Sequence, residues 1–209
     1  MTVAGRPLVA WSVAAFAAVP RVRNAVLTSP PGREDELRDA VADAAGGDLA
    51  ITVVPGGATR AQSVAAGLEA VADALVAVHD AARPLVTPRL IESLLAVLDR
   101  DPGVAGVIAA TPVADTLKRG RGDHAPAIEE TIDREGLWAA QTPQVFRTEI
   151  LRRAHAAEDA ATATDDAMLV ERAGETVLLQ PSGEPNLKVT TPADLRMVEA
   201  FLSASPSVP

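Results

Sequence analysis

The chain has no cysteine, and aromatic residues make up only 2% of its 209 residues. Without cysteine it has no disulfide, no thiolate nucleophile and no zinc–sulfur site. This fits a reducing compartment, so we expect a cytoplasmic protein. Because aromatics are scarce, alanine, valine and leucine must fill the core. Hydrophobic residues account for 48% of the chain, enough for a single domain spanning residues 1–209.

Positive charge is also in short supply. The chain has 19 Lys and Arg against 28 Asp and Glu, which gives a net charge of −9. This charge argues against a general nucleic-acid surface but is compatible with a local basic pocket for phosphates.

No apolar run reaches eighteen residues, so we expect no membrane span. The apolar segment 8–19 resembles a signal peptide, but Pro7 at its start and a strand pattern soon after it favour an ordinary helix.

Strand and helix patterns alternate with short links from Pro7 to Ala110. The predicted strands cover residues 24–29, 49–54, 74–78 and 104–110, and helices lie between them. This alternation predicts a doubly wound, mostly parallel α/β sheet.

The alternation of strand and helix patterns stops at about residues 113–136, which are polar. Short alternating stretches flank a glycine-bearing turn near 119–125 and predict a β-hairpin arm, with a flexible surface loop as the alternative. Because a two-stranded ribbon is barely stable alone, an arm of this kind often packs against a second subunit. We therefore expect a homodimer.

Residues 74–84 read ALVAVHDAARP and begin as an apolar run without helical spacing. The run predicts a strand buried on both faces. Ligands of open α/β sheets bind beyond the carboxyl ends of strands, where Asp80 could hold Mg²⁺ and Arg83 could bind a phosphate. Alternatively, Asp80 caps a turn and Arg83 is a solvated surface charge.

A second candidate segment is GGATRAQS at residues 56–63, between a strand end and a helix start. Its glycines let a ligand approach the backbone, and the helix start offers unpaired N–H groups. Arg60 and Ser63 could face the same pocket. The alternative is a glycine turn with an ordinary cap.

Two further segments carry polar groups. Alternation in residues 186–190 puts Asn186, Lys188 and Thr190 on one side of an extended segment, where Lys188 could serve an anionic transition state or simply be exposed. Residues 164–166 read as a helix N-cap with acids in its first turn. Aspartate, arginine, lysine, threonine and helix ends are the groups used in phosphoryl or nucleotidyl transfer.

Together these segments resemble the 2-C-methyl-D-erythritol 4-phosphate cytidylyltransferase family of the non-mevalonate isoprenoid pathway. Their order and spacing agree with the family along nearly the whole chain. The matching segments are GGATRAQSVAAGL (56–68), VHDAARPLV (78–86), PVADTLKR (112–119), TIDREGLWAAQTPQVF (131–146), TDDAMLVE (164–171) and NLKVTTPADL (186–195).

The resemblance implies a Rossmann-like nucleotidyltransferase fold, a homodimer joined by the arm, CTP and 2-C-methyl-D-erythritol 4-phosphate as substrates, and Mg²⁺ as cofactor. The products would be 4-diphosphocytidyl-2-C-methyl-D-erythritol and pyrophosphate. The same resemblance implies that the cytidine is bordered by Gly57, Arg60 and Ser63, and that Asp80 holds Mg²⁺ with Arg83 beside it. The methylerythritol phosphate site would be lined by Thr116 and Thr164, together with Arg134, which would come from the partner subunit. Lys188 would neutralise charge on the α-phosphate.

One departure from the family is serious. The family begins with a strand and a glycine-rich loop bearing an arginine and a lysine, whereas here residues 5–8 resemble the segment just after that loop. We therefore expect the first strand to be missing from the sheet and the triphosphate to lack its cradle. The missing loop leaves open a non-catalytic nucleotide-binding relative. A separate alternative is a cytidylyltransferase for another polyol phosphate such as ribitol 5-phosphate, which the sequence around Arg134 and Thr164 should decide.

Overall fold

Helices and strands alternate along residues 1–46, 49–157 and 162–204, which the computed structural model describes. The last residues, 205–209, whose sequence predicts a loose tail, lie outside the described residues. The helices are α1 (Leu8–Ala17), α2 (Glu34–Val41), α3 (Arg60–Glu69), α4 (Pro88–Arg100), α5 (Thr148–His155), α6 (Asp166–Arg172) and α7 (Pro192–Ala204). The strands are β1 (Thr2–Val3), β2 (Arg6–Pro7), β3 (Asn24–Ser29), β4 (Ala50–Pro55), β5 (Leu75–Val78), β6 (Gly106–Pro112), β7 (Leu117–Arg121), β8 (Ala127–Ile132), β9 (Trp138–Arg147) and β10 (Val177–Pro181).

The larger sheet has four strands in the order β10-β6-β9-β5. Strand β10 runs parallel to β6, whereas β9 runs antiparallel to both of its neighbours. The α/β class is confirmed, but the sequence did not predict β9. Pro143 lies within this strand and cannot donate a ladder hydrogen bond, which weakens the strand signal. Pairing with β5 and β6 on its two sides holds β9 in the sheet.

Helices cover both faces of this sheet. One core cluster joins α1 and α4 to Val107 and Val145, and the other joins α3, α5 and α6 to Ile108 and Phe146. Glycine is required at Gly106, because a Cβ there would lie 2.2 Å from the Phe146 ring. None of the described helices is long and apolar enough to cross a membrane.

Strands β3 and β4 form a separate parallel pair. Strand β3 faces β5 across a cavity of about 500 Å³ that both strands line. The amide of Asn24 donates to the carboxylate of Asp73 (3.0 Å), so the two strands start side by side. Among the described residues, neither strand has a strand partner on the cavity side.

This cavity corrects the prediction that the strand at 74–78 is buried on both faces. The side chains of Leu75–Val78 are only half-buried because they border the cavity rather than a neighbouring strand. The sheet lacks a strand where the resemblance places the first one, between β3 and β5.

The polar stretch after β6 forms the expected hairpin. Strands β7 and β8 pair antiparallel, and charged side chains join them: Lys118 donates to Thr131 (2.6 Å), and Arg119 pairs with Glu130 (3.0 Å). Ile128 on this hairpin is 68% exposed. Its role in dimerisation stays a prediction.

Backbone pairing predicts how fast the amides exchange with solvent. Strand β6 has strand partners on both sides, so its amides should exchange slowest, whereas roughly half of the β5 amides face the cavity and should exchange faster. Hydrogen–deuterium exchange followed by mass spectrometry measures both. Equal protection of β5 and β6 would show that the cavity edge of β5 is covered.

Candidate active site

A pocket of about 270 Å³ lies beyond the carboxyl end of β5. The starts of α3 and α6 and the segment before α7 converge on it, so its position agrees with the rule for open α/β sheets. Its lining combines cations, carboxylates and amides: Arg60, Asp80, Arg83, Ala140, Gln141, Thr142, Gln144, Thr164, Asp165 and Lys188.

The glycine loop before α3 is closed by its own helix. Thr59 caps α3 by accepting from the Gln62 N–H, and the Gln62 side chain accepts from the Thr59 N–H (3.2 Å). The hydroxyl of Ser63 accepts from the Gly57 N–H (3.1 Å) and donates to the Thr59 carbonyl (3.0 Å). Glycine is needed at Gly57, where a Cβ would lie 2.3 Å from the Gln62 Cβ. Gly57 and Ser63 shape the loop but do not line the pocket, so their contact with cytidine stays a prediction.

Asp80 lies at the centre of the pocket among three cations. Its Oδ1 lies 3.3 Å from Arg60 Nε, and its Oδ2 lies 2.8 Å from Lys188 Nζ and 3.9 Å from Arg83 Nε. Burial by itself raises the pKa of Asp80, but the hydrogen bond from Lys188 and the charge of Arg60 outweigh it and hold that pKa below its ordinary value. The carboxylate therefore stays ionised.

The turn that presents Asp80 is held by a neutral histidine. The Asp80 N–H donates to Thr142 Oγ1 (3.0 Å), and this oxygen lies 3.1 Å from His79 Nδ1. His79 Nε2 lies 3.2 Å from the Arg83 carbonyl, which can only accept, so Nε2 carries the proton and Nδ1 accepts from Thr142. Burial lowers the pKa of His79 to about 4.

The segment carrying Lys188 is fastened to the same turn. The Val189 N–H donates to the Ala82 carbonyl (2.8 Å), and Arg83 Nη1 donates to the Asn186 carbonyl (2.8 Å). Asn186 does not line the pocket; its buried amide donates to the Thr142 carbonyl (2.7 Å). Burial lowers the pKa of Arg83, yet its guanidinium reaches the pocket, in keeping with the prediction that it binds an anion.

Thr190 is bonded to the start of α7. Its hydroxyl and its N–H both donate to the Asp194 carboxylate (2.8 and 2.9 Å). Thr190 therefore joins the first turn of α7 and does not line the pocket, and the prediction that it shares one side of the segment with Asn186 and Lys188 stays a prediction.

At α6 the capping residue is Asp165, which accepts from the Met168 N–H (3.0 Å). Thr164 is exposed and lines the pocket, and its place in a methylerythritol phosphate site stays a prediction. Asp166, which the sequence analysis treated only as a charge in the first helical turn, is buried and pairs with Arg60 (2.8 Å). Gln144, which the sequence did not indicate, donates to Asp165 Oδ2 (2.8 Å).

Two predicted residues lie elsewhere in the chain. Thr116, just before β7, and Arg134, just after β8, are exposed at the base of the hairpin and do not line the pocket of their own chain. The structure thus brings together Arg60, Asp80, Arg83, Thr164 and Lys188, and leaves Gly57, Ser63, Thr116 and Arg134 outside the pocket lining.

The residues present fit a divalent cation such as Mg²⁺ that takes most of its ligands from water and from substrate phosphates. Asp80 has about four lone-pair positions, of which Arg60 and Lys188 engage only part. Among the described residues, no group of three or more His, Cys, Asp or Glu is arranged to hold a metal. Mg²⁺ commonly takes one or two carboxylates and completes its shell with water and substrate phosphates, so Asp80 can suffice.

An α/β sheet that presents an ionised carboxylate among three cations beyond a strand end carries the groups that nucleotidyl transfer uses. A sequence profile of the 2-C-methyl-D-erythritol 4-phosphate cytidylyltransferase family (IspD) matches residues 1–204, and the chain belongs to this family.

Individual relatives agree with this assignment. The chain is 43% identical to the bifunctional enzyme IspD/IspF of Desulforudis audaxviator over 97% of this chain and 51% of the relative. It is 42% identical to the 2-C-methyl-D-erythritol 4-phosphate cytidylyltransferase of Gloeobacter violaceus over 97% of this chain and 86% of the relative. The crystal structure of the Thermus thermophilus cytidylyltransferase superposes with a TM-score of 0.78 at 36% identity, covering 97% and 91% of the two chains. The chain thus spans about half the length of the bifunctional relative.

The histidine that holds the Asp80 turn predicts an acid-sensitive fold. Between the ordinary pKa of 6.5 and the folded value of about 4, the unfolded chain binds a proton at His79 that the folded chain does not. The free energy of unfolding should therefore fall as the pH drops through this range, by at most about 3 kcal/mol from this group.

Urea unfolding of the wild type and of His79→Gln at pH 7, 6, 5 and 4.5 measures this effect. Glutamine can hydrogen-bond but does not titrate, so stability should depend less steeply on pH in the variant. Parallel curves for the two proteins would contradict the assignment to His79.

Proposed function

We propose that this chain transfers the cytidylyl group of CTP to 2-C-methyl-D-erythritol 4-phosphate, giving 4-diphosphocytidyl-2-C-methyl-D-erythritol and pyrophosphate. The observation that carries the proposal is the pairing of Lys188 with Asp80 in a pocket shared with Arg60 and Arg83. Family membership over residues 1–204 supports the choice of substrates.

The chemistry needs charge and position more than proton transfer. An oxygen of the methylerythritol phosphate is already anionic, so it attacks the α-phosphorus of CTP without a general base. A new P–O bond forms, the bond from the α-phosphorus to the β-phosphate oxygen breaks, and pyrophosphate leaves with that electron pair. Positioning and neutralisation of the developing charge dominate such reactions.

Two cations of the pocket, Lys188 and Arg83, act on the phosphates in this scheme. Lys188 has three N–H donors and gives one to Asp80, so two remain for oxygens of the α-phosphate. Arg83 lies beside Asp80 and faces the acceptor phosphate, and Thr164 offers a hydroxyl at the same site. Mg²⁺, held by Asp80 and the phosphates, would neutralise further charge on the triphosphate.

Replacing Lys188 tests the proposal. Lys188→Gln removes a charge that acts on the α-phosphate, so we expect product formation to fall about 100- to 1,000-fold. Phosphorus NMR and mass spectrometry of the chain with CTP, methylerythritol phosphate and Mg²⁺ detect the diphosphocytidyl product and pyrophosphate. The matched control is Arg100→Gln, an exposed cation at the end of α4, which should leave the rate unchanged.

Other outcomes have definite meanings. CTP binding without product would make the chain a binding module. Faster turnover with ribitol 5-phosphate than with methylerythritol phosphate would change the acceptor. Product formation that is equal in Lys188→Gln and the wild type would contradict the role of Lys188.

We further propose that the hairpin joins two copies of the chain and that Arg134 of the partner subunit completes the acceptor site. The support is geometric. Arg134 lies outside the pocket of its own chain, and the hairpin exposes Ile128 at 68% of its surface. An isolated two-stranded ribbon is marginally stable and gains stability from a partner.

Mixing two inactive variants tests the shared site. In the proposed dimer each site takes Lys188 from one chain and Arg134 from the other. A heterodimer of Arg134→Gln and Lys188→Gln chains therefore has one site with both residues intact and one with neither. Random exchange should then restore about a quarter of the wild-type activity. Light scattering checks the dimer mass. No recovery in a mixture whose subunits demonstrably exchange would contradict a shared site.

A further inference from the structure

Asp166 is a buried carboxylate that contacts no substrate pocket, since it does not line the cavity around Asp80. Its side chain is only 1% exposed. Oδ1 lies 2.8 Å from His155 Nε2, and Oδ2 lies 2.8 Å from Arg60 Nη2. Buried carboxylates are rare without such partners because desolvation is costly.

Arg60 has two carboxylate partners at different nitrogens. Its Nη2 contacts Asp166, and its Nε contacts Asp80 Oδ1 at 3.3 Å. A guanidinium is rigid and planar, so contacts at two nitrogens fix its orientation. With Oδ1 of Asp80 turned to Arg60, Oδ2 faces Lys188 at 2.8 Å.

We propose that Asp166 is a positioning residue: held by His155, it fixes the guanidinium of Arg60 and through it the carboxylate of Asp80 beside Lys188. The five side chains form one continuous line of contacts of 2.8, 2.8, 3.3 and 2.8 Å. The line joins the end of α5 to the starts of α6 and α3 and then to the turn after β5. Arg60 thereby braces the site, which differs from the role beside the cytidine that the family resemblance implies.

The contact between Arg60 and Asp166 connects the buried pair His155–Asp166 to the pocket residues Asp80 and Lys188. Asp166 Oδ2 makes no hydrogen bond of good geometry, so its charge is balanced by the guanidinium close by. Removing Arg60 alone would leave this oxygen buried without a countercharge. Removing both groups would relieve that cost, so the two substitutions must be coupled.

A double-mutant cycle in thermal stability tests the contact without any assay of activity. We expect Arg60→Gln to lower Tm by about 5 °C or more, and Arg60→Gln with Asp166→Asn to recover a substantial part of that loss. The matched control is the exposed pair Arg21–Asp99, 2.6 Å apart, whose substitutions should be small and additive. Additive shifts for Arg60 and Asp166 would overturn the proposal.

Positioning is distinguished from a purely structural role by NMR of the Arg60 Nε–H group. This proton should be protected from solvent exchange in the wild type and in His155→Gln, which keeps a donor for Asp166. It should exchange rapidly in Asp166→Asn. An Nε–H signal that stays protected in folded Asp166→Asn would show that Asp166 does not fix Arg60.

The consequence for catalysis rests on the proposed function. Asp166→Asn should lower kcat about ten- to a hundredfold with little change in KM for CTP, because Asp80 and Lys188 are misplaced rather than lost. His155→Gln should stay near the wild-type kcat, whereas His155→Ala should not. If the wild type forms no product, the proposed function fails, while the stability cycle and the NMR signal still decide whether Asp166 positions Arg60. An unchanged kcat in Asp166→Asn would overturn the positioning role.

Discussion

The attraction of cations to the Asp80 carboxylate draws three parts of the chain to one point. Arg60 comes from the start of α3, Arg83 from the turn after β5, and Lys188 from a loop that is 108 residues away in sequence. Charges of one sign would repel each other in so small a pocket, so the carboxylate is what lets three cations share it. The same arrangement leaves positive charge available for a phosphate.

Apart from the bond from Arg83 to the Asn186 carbonyl, the backbone around this carboxylate is fixed by neutral polar groups. A neutral histidine and the hydroxyl of Thr142 hold the turn, and the buried amide of Asn186 holds the segment that carries Lys188. Neutral groups suit this purpose because a further buried charge would disturb the balance around Asp80. The division between neutral supports and charged site residues therefore has a physical cause.

Local patterns predict most of this architecture but little of its pairing. The cap of α3, the alternation of strands and helices, and the hairpin each depend on a few neighbouring residues. By contrast, Asp166 looks like an ordinary acid in a first helical turn, since its partners Arg60 and His155 are brought to it only by folding. Strand β9 was missed for a similar reason: Pro143 weakens its local signal, and pairing on both sides, which no local pattern reports, keeps it in the sheet.

The cavity between β3 and β5 has a consequence for handling the protein. Each strand presents a row of N–H and C=O groups that can pair with any extended chain, and apolar side chains surround them. Natural proteins protect such edges with charges, prolines or covering segments. The described residues place no strand between these two edges, so an extended segment that enters the cavity would find unpaired backbone groups on both sides. Concentrated samples would offer such a segment from other copies of the chain.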